Sequence, residues 1–145
     1  MICTRKRLRL CVALLAMNLA FIWGNSLLPG EVSGTLSRWI KELLLGAAGT
    51  ETGHGLLRKL AHFTEFACLG ACFAWRTGML KKKQWRPLLF GFLAACLDET
   101  IQCFVPDRGP AIRDVLIDTA GVFLGTAVLL LGHTIYKKHF GGNKQ

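Results

Sequence analysis

Lys59, His62 and Glu65 recur every three residues, so they line one face of a helix and reach ~9 Å along it at ~1.5 Å per residue. A second group, Asp98, Glu99 and Gln102, occupies a single turn further along the chain, and a third, Asp114 and Asp118, is again one turn apart. Arg108 and Arg113 stand just before that last pair. An imidazole beside several carboxylates is the material of acid/base catalysis or proton coupling, and a guanidinium near them suits a phosphate or carboxylate ligand. His62, Glu65, Asp98, Glu99 and Gln102 are therefore the candidates for chemistry. Lys59, Arg108, Asp114 and Asp118 are the candidates for holding a substrate.

These residues interrupt apolar runs, and that decides how they are read. A charge in the middle of a lipid-embedded helix costs roughly 2.5–3.5 kcal/mol. Glu65, Asp98, Glu99 and Asp118 should therefore face one another, paired with Lys59, Arg108, Arg113 or a protonated His62, and any carboxylate left over should keep its proton. Polar side chains can also act simply as glue between membrane helices, and charges at helix ends can reach the headgroups. For Asp107, Asp114 and Arg58 that plainer explanation is sufficient. For Glu65, Asp98, Glu99 and Gln102, the density of ionisable groups exceeds what glue requires.

The elements that would position these groups are apolar helices. The chain has 145 residues, 52% of them hydrophobic, with net charge +9. One small domain is the ceiling at this length. Nucleic acid is not an expected partner, because the basic residues come in short blocks between apolar runs and not on one solvated face. Four runs, at about 8–28, 60–77, 87–105 and 115–136, approach the ~20 residues needed to cross ~30 Å of hydrocarbon. The first follows Arg5, Lys6, Arg7 and Arg9 and lacks an A-x-A cleavage site, so it reads as an uncleaved span. Hydrogen bonding must close within each segment in lipid, so all four are expected to be helical.

The N-terminal segment holds four Lys and Arg, five lie in 76–86 and three follow Tyr136, with no acidic residue in any of those segments. All nine Asp and Glu lie in the other two connections and their flanking helix ends. The positive-inside rule then places both termini in the cytoplasm, with Trp75, Trp85 and Tyr136 near the cytoplasmic boundary. All three polar groups fall at the opposite, outer end. Between the first two spans, Leu36, Trp39, Ile40, Leu43 and Ala47 keep helical spacing opposite Arg38, Lys41 and Glu42. This is either a short amphipathic helix on the outer leaflet or one packed over the bundle mouth. The fold expected is an all-α polytopic membrane bundle of about four transmembrane helices.

The six cysteines lie mostly within apolar runs, which argues for small buried hydrophobes and against a disulfide framework. Cys68 and Cys72 are one turn apart, but no second pair completes a zinc site, and no metal is assigned. Gly121 and Gly125 continue the Asp114–Asp118 stripe as G-x-x-x-G, a surface that lets another backbone approach closely; Gly91 with Ala95, and Ala67 with Ala71, are similar.

Two stretches resemble the VanZ-like membrane proteins. Lys59, His62, Phe63, Glu65 and Phe66 are similar to that family's K-x-x-H-F-x-E-Y. Asp98, Glu99, Gln102, Phe104, Pro106, Arg108, Asp114, Asp118, Gly121 and Gly125 are similar to its D-E-x-x-Q-x-F-x-P-x-R and D-x-x-x-N-x-x-G-x-x-x-G. Asn25, Ser26 and Pro29 resemble a serine-containing segment of the family. Phe66 stands where a tyrosine is usual, and Asp118 where an asparagine is. The resemblance implies a bacterial envelope protein linked to tolerance of glycopeptides of the teicoplanin type, and it supplies no settled reaction or cofactor.

Three functions follow as expectations. The first is a protein that binds or remodels an amphiphile at the outer leaflet, the bilayer and a lipid or lipid-linked ligand being its partners. The second is an intramembrane hydrolase or transferase in which His62 or Glu65 is the base, Asp98 and Glu99 hold a metal or act as acid, and Arg108 binds the ligand's anion. The third is a small proton-coupled carrier, against which stand the size of the chain and the lack of an inverted repeat. The oligomeric state is left open.

Overall fold

The computed structural model describes residues 2–45, 54–79, 83, 85–109 and 111–140, and among these every regular element is an α-helix. In order they are α1 (Ile2–Ser26), α2 (Gly30–Leu45), α3 (His54–Met79), α4 (Arg86–Gln102) and α5 (Ile112–Phe140). The start and stop signals are local. Pro29 follows the end of α1, and Pro87 sits in the first turn of α4, where its missing N–H costs nothing. Helix α5 carries Asp114 in its first turn and Lys137, Lys138 and His139 in its last, each favourable to the helix dipole.

Helix α3 is the centre of the bundle and packs against each of the other four, most extensively against α5. That contact is built on glycine. A Cβ on Gly121 would overlap the Phe63 carbonyl, one on Gly125 the Ala67 carbonyl, and one on Gly70 the backbone of Val122. The two helices thus meet backbone to backbone, as small-residue stripes allow. Gly91 of α4 receives the Val122 side chain in the same way. Below the polar end, Cys11, Leu15, Ile22, Phe66, Leu69, Ala94, Ala95 and Val122 form a compact apolar core. The Cys11 thiol lies in this core and donates to the Cys72 carbonyl, as a small buried hydrophobe would.

The outer surface of the bundle is apolar where a soluble domain would be polar. Leu89, Phe90, Phe92, Leu93 and Leu97 of α4, and Leu116, Phe123, Leu124, Val128 and Leu131 of α5, are all exposed, while Asp98, Glu99, Gln102 and Asp118 are buried. Among the described residues, two helical segments are long and apolar enough to cross a membrane, Arg5–Ser26 and Ile112–His139. Expected spans 60–77 and 87–105 fall on α3 and α4, but α3 carries Arg58, Lys59 and Glu65, and α4 is 17 residues long and ends three residues before the expected boundary. The amphipathic segment after α1 is helical as α2, with Trp39 and Val32 exposed; Ala47 lies outside the described residues, as do the side chains of Leu36, Ile40 and Leu43.

Candidate functional site

Five chain segments meet at one end of the bundle: the C-terminal ends of α1 and α4, the N-terminal halves of α3 and α5, and the α4–α5 connection. All nine residues singled out from the sequence come together there. Their side chains are organised as three linked groups.

The first centres on Asp98, which is fully buried. Its Oδ1 accepts from Ser26 Oγ at 2.6 Å and its Oδ2 from Gln102 Nε2 at 2.9 Å. Asp98 and Gln102 are one turn apart on α4, so the amide reaches the carboxylate along the helix, while Ser26 comes from the last turn of α1. Both oxygens of a buried carboxylate are thereby satisfied, which lowers the cost of keeping it from water. Arg108 ties the α4–α5 connection to the same place by donating from Nη1 to the Ser26 carbonyl at 3.4 Å. Its half-burial, and next the charge of Arg58, draw the guanidinium pKa below its ordinary value, though a guanidinium stays charged.

The second group is His62 with Glu65. Their Nδ1 and Oε2 atoms stand 3.9 Å apart, and neither makes a hydrogen bond among the described residues. The other carboxylate oxygen of Glu65 accepts from Asn25 Nδ2 at 3.0 Å. Asn25 and Ser26, adjacent on α1, thus hold one carboxylate each, Glu65 on α3 and Asp98 on α4.

The third group lies toward α5. Lys59 Nζ is 3.8 Å from Asp114 Oδ1, a half-exposed ion pair of the kind that contributes little to stability. Glu99 Oε2 accepts from the Ala111 backbone N–H at 2.8 Å, tying the start of α5 to α4. The connection between them turns at Asp107, whose φ of 60° is left-handed, and packs against α2 where Gly30 N–H donates to the Pro106 carbonyl at 3.3 Å. A side chain at Gly30 would strike Asp107, so the glycine permits this approach. Asp118 is 2% exposed, and its Oδ1 has no hydrogen-bond partner among the described residues.

Two cavities adjoin at His62. The smaller, about 10 Å³, is lined by His62, Glu99, Gln102, Asp114 and Asp118 together with Arg58 and Lys59. The larger, about 340 Å³, lies between α1, α2 and α3. Phe21, Leu28 and Leu57 form apolar parts of its wall, and Arg58, Glu65 and Arg108 the charged part. A recess of this size, apolar with a few converging polar groups, is a ligand-sized cleft.

Arg58 borders both cavities, a position the plainer reading of a helix-end charge missed. The signal was present in the spacing, because Arg58, His62 and Glu65 follow at i, i+4 and i+7. Asn25 and Ser26 carried no such signal in the helical pattern.

A model of the VanZ/LLP1 family matches residues 9–133, most of the chain. No curated protein and no solved structure matches the chain.

Proposed function

The chain belongs to the VanZ/LLP1 family, and from that premise we propose that it is a multi-pass protein of the bacterial cell envelope that binds the anionic head of an amphiphile at the outer leaflet and so contributes to tolerance of teicoplanin-type glycopeptides. In this reading α1, α3, α4 and α5 cross the bilayer, both termini are cytoplasmic, and α2 rests on the outer leaflet. The distribution of Lys and Arg supports that orientation, and the apolar exposed faces of α4 and α5 around a buried polar cluster support lipid on the outside.

The observation that carries the binding role is the larger cleft. An acyl or isoprenoid chain would lie along Phe21, Leu28 and Leu57, while Arg58 and Arg108 would meet a phosphate or carboxylate beside His62 and Glu65. Burying both ends of an amphiphile against matching chemistry is what a cleft with one greasy wall and one cationic wall does well. Glu65, held by Asn25, would accept from a hydroxyl or amine of the same headgroup.

The test is expression in a teicoplanin-susceptible host. Tolerance should rise with the unmodified chain and return to the host's level with Arg58→Gln combined with Arg108→Gln at equal membrane abundance. Unchanged tolerance with the unmodified protein present in the membrane would overturn the reading.

A further inference from the structure

A ring nitrogen of His62, an oxygen of Asp98 and an oxygen of Asp118 all lie within 4.8 Å of one another, although they come from three different helices. Hydrogen bonding within the cluster does not account for this convergence. We propose that His62, Asp98 and Asp118 bind a divalent transition-metal ion of the Zn2+ class.

Four observations carry this. The first is Asp118 itself, 2% exposed, with Oδ1 unpartnered among the described residues and a carboxylate oxygen within 4.8 Å of donor atoms of His62 and Asp98. A buried carboxylate oxygen without a hydrogen bond carries the full penalty of its desolvation, and a cation is the partner that removes it. His62 Nδ1 is buried and makes no hydrogen bond among the described residues, its nearest carboxylate oxygen being Glu65 Oε2 at 3.9 Å.

The second is size. The cavity that His62 and Asp118 line, about 10 Å³, holds about one water-sized sphere and no organic group. With metal–ligand bonds of ~2.0–2.2 Å, donor atoms around a tetrahedral ion stand ~3.4 Å apart, so a set within 4.8 Å closes on the ion by side-chain adjustments of about an ångström.

The third is support for the donors. Asp98 is held on both oxygens, by Ser26 and by Gln102, and each oxygen keeps a lone pair for a metal. Ligating carboxylates are ordinarily fixed in this way by a surrounding layer of hydrogen bonds.

The fourth is charge. Glu65, Asp98, Glu99, Asp114 and Asp118 outnumber Arg58, Lys59 and Arg108 around the two adjoining cavities, so five carboxylates against three fixed cations leave an excess of two to be balanced by protons or by a cation. One divalent ion balances that excess in a place where uncompensated charge is costly.

One nitrogen and two carboxylate oxygens form a mixed set that suits Zn2+ better than Mg2+ or Ca2+, which favour all-oxygen cages. Three protein donors leave further coordination positions open, and one of the donors, His62, also lines the larger cleft. The metal site stands apart from the amphiphile reading, since loading is measured without lipid ligand or antibiotic.

The experiment uses the full chain in nanodiscs, purified without a histidine tag, stripped with a chelator and titrated with Zn2+ and separately with Co2+. Metal content by mass spectrometry should reach one ion per chain. Co2+ should give a visible d–d absorption band that Zn2+ abolishes, and Mg2+ should compete at least about a hundredfold more weakly. Asp118→Asn and His62→Gln, both close in shape to the natural residues, should each weaken Zn2+ binding by about a hundredfold or more, and Ser26→Ala by roughly tenfold. Fewer than about one ion per ten unmodified chains would overturn the proposal whatever the variants do, because protons alone would then occupy the carboxylates. Tight binding that persists in both His62→Gln and Asp118→Asn would also overturn it and assign the ion to other donors, the cysteines or the remaining histidines.

Discussion

Ser26 Oγ donates to Asp98 Oδ1 at 2.6 Å, joining the last turn of α1 to the buried face of α4 across 72 residues of sequence. The bond does two things at once. It satisfies a carboxylate that has no access to solvent, and it fixes the end of α1 against the bundle at the point where Asn25 reaches Glu65.

Replacing Ser26 by alanine should therefore destabilise the protein by about 1–3 kcal/mol, the cost of leaving a buried acceptor unmade. Thermal unfolding of the detergent-solubilised chain reads this directly. Asp98→Asn should be similarly costly, and the double variant should fall well short of the sum of the two, because the second change removes a partner already lost. Additive losses would mean that the two side chains do not depend on each other.

The contact between α3 and α5 predicts a contrast between two glycines of the same helix. Gly125→Ala places a methyl group on the Ala67 carbonyl and should cost about 1–3 kcal/mol, or the folded state altogether. A methyl group at Gly132 would meet no neighbouring heavy atom within 4 Å, so Gly132→Ala should be neutral or stabilise by up to ~1 kcal/mol through reduced backbone freedom. Equal effects at the two positions would remove the backbone-to-backbone packing from the account of the fold.

Much of this arrangement was legible beforehand, and the residues show why. His62 and Glu65, or Asp98 and Gln102, stand out because polar groups three or four apart in an apolar run must share a helix face, and in lipid that face must turn inward. Gly121 and Gly125 were legible by the same periodicity. Asn25 and Ser26 were not, because a polar pair at the end of a helix reads equally well as a cap or turn; only the resemblance to VanZ-like proteins marked them. The Glu99–Ala111 bond was beyond reach for another reason. Its donor is a backbone group whose position depends on the path of the 103–111 connection through the left-handed Asp107 and the contact with Gly30, and neither leaves a trace in hydrophobic periodicity. Residues 60–77 and 87–105 show the limit of the span reading, since both fall on helices that length and apolarity alone do not mark as membrane-crossing.

Placing α4 across the bilayer has a direct consequence for its two ends. Phe104, just beyond the C-terminal end, is 85% exposed and Trp85, at the N-terminal end, is 53% exposed, so single cysteines at either position should be open to reagent. In a background with the native cysteines replaced by alanine, Phe104→Cys should label in intact cells with an impermeant maleimide. Trp85→Cys should label only after the membrane is opened. Labelling of both positions from the same side would show that α4 does not cross, and the outward-facing site would fall with it.

Glu65 and Asp98 differ in a way that separates support from function. Asp98 is held on both oxygens and is fully buried, whereas Glu65 is held on one oxygen by Asn25 while its other oxygen points toward His62 beside the larger cleft. Asp98→Asn should accordingly lower the amount of protein recovered from the membrane, because an amide cannot accept at both positions from Ser26 and Gln102. Glu65→Gln keeps an oxygen for Asn25 and should leave abundance within about twofold, the change expected from well under 1 kcal/mol. Its effect should appear instead in antibiotic tolerance, measured at matched expression. If Glu65→Gln lost abundance as Asp98→Asn does, with tolerance per molecule intact, Glu65 would be a joint between α1 and α3 and the cleft would have to bind its ligand through Arg58 and Arg108 alone.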